Sequence, residues 1–315
     1  MGGNLTDLNA IQNQILPIYS RKLLEEQTPK QYFWNFCLLD PELKLDGTPG
    51  KEVMFNAVPE LTGDGLIPDE DTPISIEKLG SSKTSIYLKE FGKGAQFSRF
   101  STVASLLNML DVAKTRLGKH YAITMDRYLR DVFFTTANKY YARATGLSGT
   151  GYANINSIFN VMTIDSVKEK AAGLDFPMWT DGSRGDYWIF IGTQRQIRQF
   201  NRDKLLVNKK NYAAPTDWLR GEVGMFEGVT YLSSTLMDEL ILPGASANSK
   251  DVHRGLLIAP GAVGIVRSIA MRLSALAWDE VKRSQIVLWY ALLGAGILQD
   301  YIYEIATEDG LSLYA

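Results

Sequence analysis

A long polar segment between two strand-like runs, followed by an extended helical pattern, is the feature that most constrains how this chain folds. The runs cover residues 53–58 and 84–91, and residues 59–73 between them are polar with several Gly and Pro. An isolated two-stranded arm is marginally stable in water, and a structureless loop of this length is unusual inside a compact domain. Both difficulties disappear if the arm rests on a neighbouring copy, so the pattern predicts a subunit of an assembly.

Charge is segregated along this arm. Residues 59–77 contain six acidic and no basic side chains, and residues 78–99 contain five basic side chains and one acidic side chain. Complementary patches of this kind align neighbouring subunits, although a charged run is equally compatible with a solvated surface. On the first interpretation, the residues that contact another subunit are Asp64, Asp69, Glu70, Asp71, Lys83, Lys89 and Lys93.

The segment 98–145 has helical periodicity, with apolar side chains at steps of three and four residues. Ser101 is a suitable N-cap, Gly146 stands where a C-cap glycine belongs, and Gly118 is a possible break. A continuous helix of this length would extend about 70 Å, at about 1.5 Å per residue. Such a helix suits a spine across an elongated subunit better than it suits a compact domain.

After the long helix the pattern changes to α/β. A short helix is predicted for residues 165–172, with Ser166 and Glu169 as its capping box. The continuous apolar run 187–191 predicts a buried strand, and Thr193 caps the helix that follows. Further strands are predicted for residues 228–234, 256–259, 263–269, 286–290 and 301–305.

Composition argues against several classes of function. The formal net charge is −2 and the pI is near 5.8, whereas proteins that mainly grip nucleic acid are usually strongly basic. Cys37 is the single cysteine, and the two histidines, His120 and His253, lack the spacing of a metal motif. No signal-peptide pattern and no membrane-length apolar run are present. We therefore identify no catalytic residues, no metal site and no cofactor site from these patterns.

Two local motifs have alternative interpretations. Gly294-Ala295-Gly296 lacks the third glycine and the following helix of a dinucleotide-binding loop. Residues 194–210 contain six basic side chains and one acidic side chain. They indicate either a solvated helix face or weak, sequence-independent contact with nucleic acid through its phosphates. The residues proposed for that contact are Arg195, Arg198 and Arg202.

The order of these segments resembles a known family. A loop start at 47–55, a return strand leading into a spine helix, and a buried strand followed by a helix at 186–200 occur in sequence. The glycine-bounded run 221–235 then enters a strand, and a turn within 255–266 precedes the last strands. From about residue 47 onward the chain resembles the major capsid proteins of tailed bacteriophages with the Hong Kong ninety-seven fold, most closely the podovirus-type major heads.

The resemblance implies an α+β fold with an N-terminal arm, an extended β-hairpin loop, a long spine helix, and peripheral and axial domains. The arm would be residues 1–50 and the extended loop residues 51–93. Residues 94–146 and 263–315 would form the peripheral domain, and residues 147–262 the axial domain at hexamer and pentamer centres.

The implied function is a major capsid protein that self-assembles into the icosahedral shell around a viral DNA genome. It would not be an enzyme and would need no cofactor. Its partners would be other copies of itself, scaffolding and portal proteins, and packaged double-stranded DNA, with no membrane involved. It would be assembled in the host cytoplasm and reside in the virion. The alternatives are another structural virion protein, such as a tail-tube or decoration component, and an α/β enzyme.

Overall fold

The computed structural model describes residues 32–44, 52–57, 76, 80–105, 109–182, 185–204, 224–279, 281 and 283–310. These residues form two large sheets, a separate two-stranded hairpin and helices packed between and around them. The helices are α1 (Arg99–Ala104), α2 (Met109–Phe133), α3 (Val161–Gly173) and α4 (Gln194–Asn201). The strands are β1 (Leu38–Lys44), β2 (Glu52–Ala57), β3 (Ser82–Tyr87), β4 (Lys89–Ser98), β5 (Lys139–Tyr141), β6 (Trp179–Asp181), β7 (Gly185–Gly192), β8 (Met225–Phe226), β9 (Val229–Ser233), β10 (Val252–Ile258), β11 (Val263–Ala275), β12 (Ser284–Ile297) and β13 (Ile302–Glu308).

The larger sheet has the strand order β5-β13-β10-β7-β9-β8, with β6 paired beside β7. β7 runs parallel to β9, and β10 is antiparallel to both β7 and β13. On one face, Phe190 of β7 and Phe200 of α4 belong to an aromatic core that α3 also covers. On the other face, Ile189 and Ile191 pack with Leu129 of α2. The apolar run of β7 is therefore buried from both sides, as predicted for a strand without alternation.

The smaller sheet has the order β1-β11-β12-β4 and is built around the long antiparallel pair of β11 and β12. Side chains of β12 alternate between its faces, as a strand requires. Trp289, Ala291 and Leu293 pack beneath α2, whereas Leu292 faces the β2–β3 hairpin. This sheet is therefore covered by the helix on one face and by the hairpin on the other.

The prediction of one helix over residues 98–145 is wrong. α1 ends at Ala104, and α2 is a separate helix of 25 residues that continues through Gly118 without a break. Ser98 rather than Ser101 caps α1, because the Ser98 hydroxyl accepts a hydrogen bond from the Ser101 N–H at 3.1 Å. The predicted spine is about half the expected length.

Tertiary contacts end α2 at Phe133. The Thr136 hydroxyl lies 2.6 Å from a carboxylate oxygen of Asp300 and 3.0 Å from the Ile302 carbonyl. The chain then enters β5, which pairs in parallel with β13. Local periodicity continues through this region, but sheet pairing decides its structure, since propensity is easily overridden by tertiary context.

The predicted strands of the α/β region are confirmed, although β11 and β12 extend further than expected. Thr193 caps α4 with a complete capping box that includes Gln196. The predicted box of Ser166 and Glu169 is wrong. α3 begins at Val161, and the Asn160 side chain caps it by accepting a hydrogen bond from the Thr163 N–H at 2.9 Å.

The predicted arm strands pair with each other, and part of the hairpin packs on its own chain. β2 and β3 form an antiparallel hairpin in which Val53 lies opposite Ile86. Ile86 is 1% exposed and packs with Val266 and Leu292 of the same chain. The predicted return strand 84–91 divides at Leu88, and its second half joins the four-stranded sheet as β4. The buried face of the hairpin therefore packs against apolar side chains of its own subunit.

Residues 32–34, within the predicted N-terminal arm, are anchored on α2. The Asp126 carboxylate accepts hydrogen bonds from the backbone N–H groups of Tyr32, Phe33 and Trp34 at 3.4, 2.9 and 3.4 Å. Burial raises the pKa of Asp126, and these hydrogen bonds oppose the shift. Burial also raises the pKa of Cys37, whose thiol donates to the Phe33 carbonyl, so the thiol is protonated and structural.

Candidate assembly and nucleic-acid surfaces

The β2–β3 hairpin presents one exposed face. Side chains alternate along its strands, so Val53 and Ile86 point to the subunit while Met54 and Tyr87 remain more than half exposed. Lys83 is also exposed on this outer face of β3. A hairpin anchored on one face and open on the other can offer apolar and basic contacts to a second molecule.

The structure separates the predicted loop contacts. Asp64, Asp69, Glu70 and Asp71 lie outside the described residues. Lys83 lies on the hairpin, whereas Lys89 and Lys93 lie on β4, opposite Leu293 and Trp289 of β12. The Lys89 ammonium stands 5.2 Å from the centre of the Tyr128 ring, so it also contacts its own α2.

An exposed apolar surface lies at one end of the four-stranded sheet. α1 meets the turn between β11 and β12 there, with the Arg99 N–H donating to the Arg283 carbonyl at 3.0 Å. Phe100 is 83% exposed and Val281 is 93% exposed. We call this surface the apolar tip, and its members are Phe100, Val103, Leu276, Trp278 and Val281. Side chains of this size exposed together commonly mark a contact with another molecule.

The three predicted arginines lie on or directly after one helix. Arg195 and Arg198 occupy the exposed side of α4, whose buried side carries Ile197 and Phe200, and Arg202 is exposed at the C-cap position. An open groove of about 590 Å³ runs beside them and is also lined by Gln194, Asn201 and Ser233. The structure therefore brings the three predicted arginines together beside one groove.

The three arginines differ in their partners. Arg195 forms an ion pair with Asp309, which fixes the end of the described chain to α4. Arg202 has interactions of its own. Within the described residues, no carboxylate is within ion-pair distance of Arg198. Arg198 is consequently the arginine best placed to contact an external phosphate.

A buried histidine lies behind this basic surface. His253 is 0% exposed, and its Nδ1 lies 3.2 Å from the Thr193 hydroxyl. Its Nε2 lies 3.8 Å from Asp309. Burial lowers the pKa of His253, an effect that Arg195 reinforces and that Asp309, Asp238 and Asp251 oppose. The neutral imidazole is therefore the form that the fold favours.

Acidification should destabilise the subunit through His253. Because its folded pKa lies below the unfolded value of 6.5, the unfolded chain binds more protons as the pH falls below about 6.5, and stability decreases there. Urea unfolding at pH 7.5 and pH 5.5 measures this loss. We expect His253→Gln to reduce this loss of stability, and His120→Gln, at an exposed position, is the control. An equal loss in the His253→Gln variant would contradict this assignment.

A buried ionic network crosses the larger sheet. Glu304 is 0% exposed and accepts hydrogen bonds from the Arg254 guanidinium at 2.6 Å and from the Tyr152 hydroxyl at 2.8 Å. The Arg254 guanidinium also lies 4.4 Å from the centre of the Phe134 ring. Lys139 approaches the other Glu304 oxygen at 3.8 Å. Sequence reasoning missed this network, because its members are far apart in the chain and share no motif.

The described residues contain no group of three or more His, Cys, Asp and Glu side chains that could hold a metal ion. Within the same part of the chain, no helix is long and apolar enough to cross a membrane. Among the described residues, the features that the structure brings together are exposed surfaces and structural ion pairs.

Comparison with known protein families gives no matching family model. Comparison with curated proteins gives no match either. The chain is, however, similar over nearly its whole length to solved structures of bacteriophage capsids.

Three of these structures illustrate the similarity. The capsid chain of cyanophage Pam1 matches with a TM-score of 0.81 at 15% identity, covering 97% of this chain and 99% of the other. The head of Helicobacter pylori bacteriophage KHP40 gives 0.72 at 13% identity, covering 98% and 100%. The capsid of Ralstonia phage GP4 gives 0.68 at 13% identity, covering 94% and 96%.

Proposed function

The chain has the α+β fold of phage capsid proteins, and we propose that it is the major capsid protein of a tailed bacteriophage. In this proposal it self-assembles into an icosahedral shell that encloses the viral DNA. The observation that carries the proposal is the agreement over both whole chains with the Pam1 capsid structure. A shared small domain would not produce mutual coverage of this extent.

Two exposed surfaces favour the proposal that copies of the chain contact one another. The outer face of the hairpin combines Met54 and Tyr87 with Lys83, and the apolar tip exposes Phe100 and Val281. Burying such side chains against a second copy contributes about 1.5–3 kcal/mol for each one. The acidic segment 59–77 supplies negative charge that complements Lys83, Lys89 and Lys93 on another copy.

The domain assignment belongs to the same proposal. Residues 1–50 are the arm, 51–93 the extended loop, 94–146 and 263–315 the peripheral domain, and 147–262 the axial domain. One boundary is revised, because β13 pairs with β10 in the larger sheet and so belongs with the axial residues. Hexamers and pentamers would assemble in the host cytoplasm with scaffolding and portal proteins and become part of the virion.

A tail-tube or decoration protein is less well supported. Such proteins are typically rich in β-structure without a long central helix, whereas α2 has 25 residues and packs against both large sheets. An α/β enzyme would need a cleft with converging polar groups. The groove beside α4 is open and has arginines rather than a catalytic pair.

The exposed arginines of α4 support weak contact with packaged DNA. Arg198→Gln should lower the affinity of the subunit for double-stranded DNA at every sequence tested. The slope of log K against log salt concentration should decrease by about one, since one phosphate contact is removed. Arg127→Gln is the control, because Arg127 is paired with Glu239. Fluorescence anisotropy at several salt concentrations measures the affinity and the salt slope of each variant. An unchanged slope for Arg198→Gln would exclude this contact.

Sedimentation velocity of the purified protein tests the function itself. We expect large particles of uniform size to form as protein concentration and ionic strength are varied. A protein that stays monomeric over the whole range of conditions would contradict the proposal.

A further inference from the structure

The glycines of Gly294-Ala295-Gly296 lie where the β2–β3 hairpin crosses the four-stranded sheet. Side chains of β12 alternate, so Leu292, Gly294 and Gly296 share the face that the hairpin covers. Ala295 belongs to the opposite face, which packs against α2. Its N–H donates to the Tyr128 hydroxyl at 3.1 Å, so β12 is held from the helix side.

The backbone of β3 approaches β12 at these glycines. A Cβ atom at Gly294 would lie 2.4 Å from the carbonyl oxygen of Tyr87 and 3.0 Å from its carbonyl carbon. A Cβ atom at Gly296 would lie 3.0 Å from Ile86 Cγ1. The contact at Gly294 is therefore with rigid backbone, whereas the contact at Gly296 is with a side chain.

The chain changes sheets at the same place. β3 ends at Tyr87, Leu88 is buried, and β4 begins at Lys89, which pairs with Leu293 of β12. Only one residue separates the strand that crosses β12 from the strand that runs beside it. The position of β3 on the glycines therefore sets the direction in which the hairpin leaves the sheet.

We propose that Gly294 and Gly296 form a seat that positions the β2–β3 hairpin, and that this position selects the geometry of contact between copies of the chain. The second half of the proposal rests on the proposed function. The first half concerns the single subunit and stands on the distances alone. Gly294-Ala295-Gly296, which does not match a dinucleotide-binding loop, thus has a structural role.

The test uses the full chain with single alanine substitutions. Gly294→Ala should displace β3, because a backbone carbonyl cannot rotate away as a side chain can. Hydrogen exchange of the amides in residues 52–57 and 82–87 should become at least about tenfold faster, as expected for a locally destabilised element, and uniform particles should be lost. Gly94→Ala is the matched control on β4, since its Cβ would have no neighbour closer than 3.5 Å.

A second pair of variants separates the seat from general misfolding. Gly296→Ala should show a smaller increase in exchange. Ile86→Ala removes an apolar contact of the hairpin and should speed exchange by itself, but combined with Gly296→Ala it should speed exchange by less than the product of the two single effects, because the colliding side chain is removed. Combined with Gly294→Ala, whose collision is with backbone, the same change should give close to the product of the single effects. Wild-type exchange in Gly294→Ala, or a fully multiplicative effect of Ile86→Ala and Gly296→Ala, would overturn the proposal.

The two readouts also distinguish this proposal from the proposed function. If the unaltered chain forms no particles, the shell function fails, while hydrogen exchange still decides whether the glycines position the hairpin. If the unaltered chain forms particles and Gly294→Ala forms the same particles with a displaced hairpin, the seat exists but does not select the contact geometry.

Discussion

Arg254→Met should destabilise the unassembled subunit by about 3–5 kcal/mol, as expected when one partner of a buried ion pair is removed. Glu304 is fully buried and receives its closest hydrogen bond from Arg254. Methionine keeps apolar contact with the Phe134 ring but leaves the carboxylate without its main positive partner. Urea unfolding monitored by tryptophan fluorescence measures the change in the free energy of unfolding.

A matched exposed pair and a double variant complete this experiment. Arg127→Met removes an arginine from a pair with Glu239 in which both side chains are well exposed, so its cost should be about 0–1 kcal/mol. Glu304→Gln combined with Arg254→Met should be less destabilising than Arg254→Met alone, because no buried charge is then left unpaired. Equal costs for Arg254→Met and Arg127→Met would show that the buried network is not stabilising.

Phe100→Asp combined with Val281→Asp should leave the subunit folded and strongly weaken its assembly. Both positions are strongly exposed, so the free energy of unfolding should change by only about 0.5 kcal/mol each. In an interface, each charge would replace an apolar contact worth about 1.5–3 kcal/mol. The protein concentration required for particle formation should therefore rise by at least about tenfold.

The control for this variant keeps the apolar tip apolar. Phe100→Leu combined with Val281→Ile alters shape but adds no charge, and it should still form particles. Sedimentation of both variants alongside the unaltered chain gives the concentration dependence. Particle formation by the aspartate variant at the same concentration as the unaltered chain would show that the apolar tip is not an assembly surface.

The sequence predicts the strands and helices of the α/β region well because their signals are local. The apolar run of β7 and the N-cap at Thr193 each depend on only a few neighbouring residues, and both predictions are confirmed. The long helix is wrong because its end is decided by β5 pairing with β13, some 160 residues later in the chain. Periodicity carries no information about such a partner.

The candidate surfaces are partly visible in the sequence. The concentration of basic side chains in residues 194–210 indicates the arginines at α4, and the structure places them together. The apolar tip was missed because Phe100 and Val281 are distant in sequence and look like ordinary core residues. The hairpin support was also missed, since the small size of Gly294 and Gly296 matters only beside the Tyr87 carbonyl. The close approach of two backbone segments cannot be recognised from composition or from hydrophobic periodicity.

Electron microscopy of the assembled protein tests the central claim most directly. A reconstruction should show a closed icosahedral shell made of copies of this chain. The apolar tip and the outer face of the β2–β3 hairpin should lie at contacts between copies. A monodisperse monomer under all assembly conditions, or particles in which the hairpin contacts only its own subunit, would contradict the account.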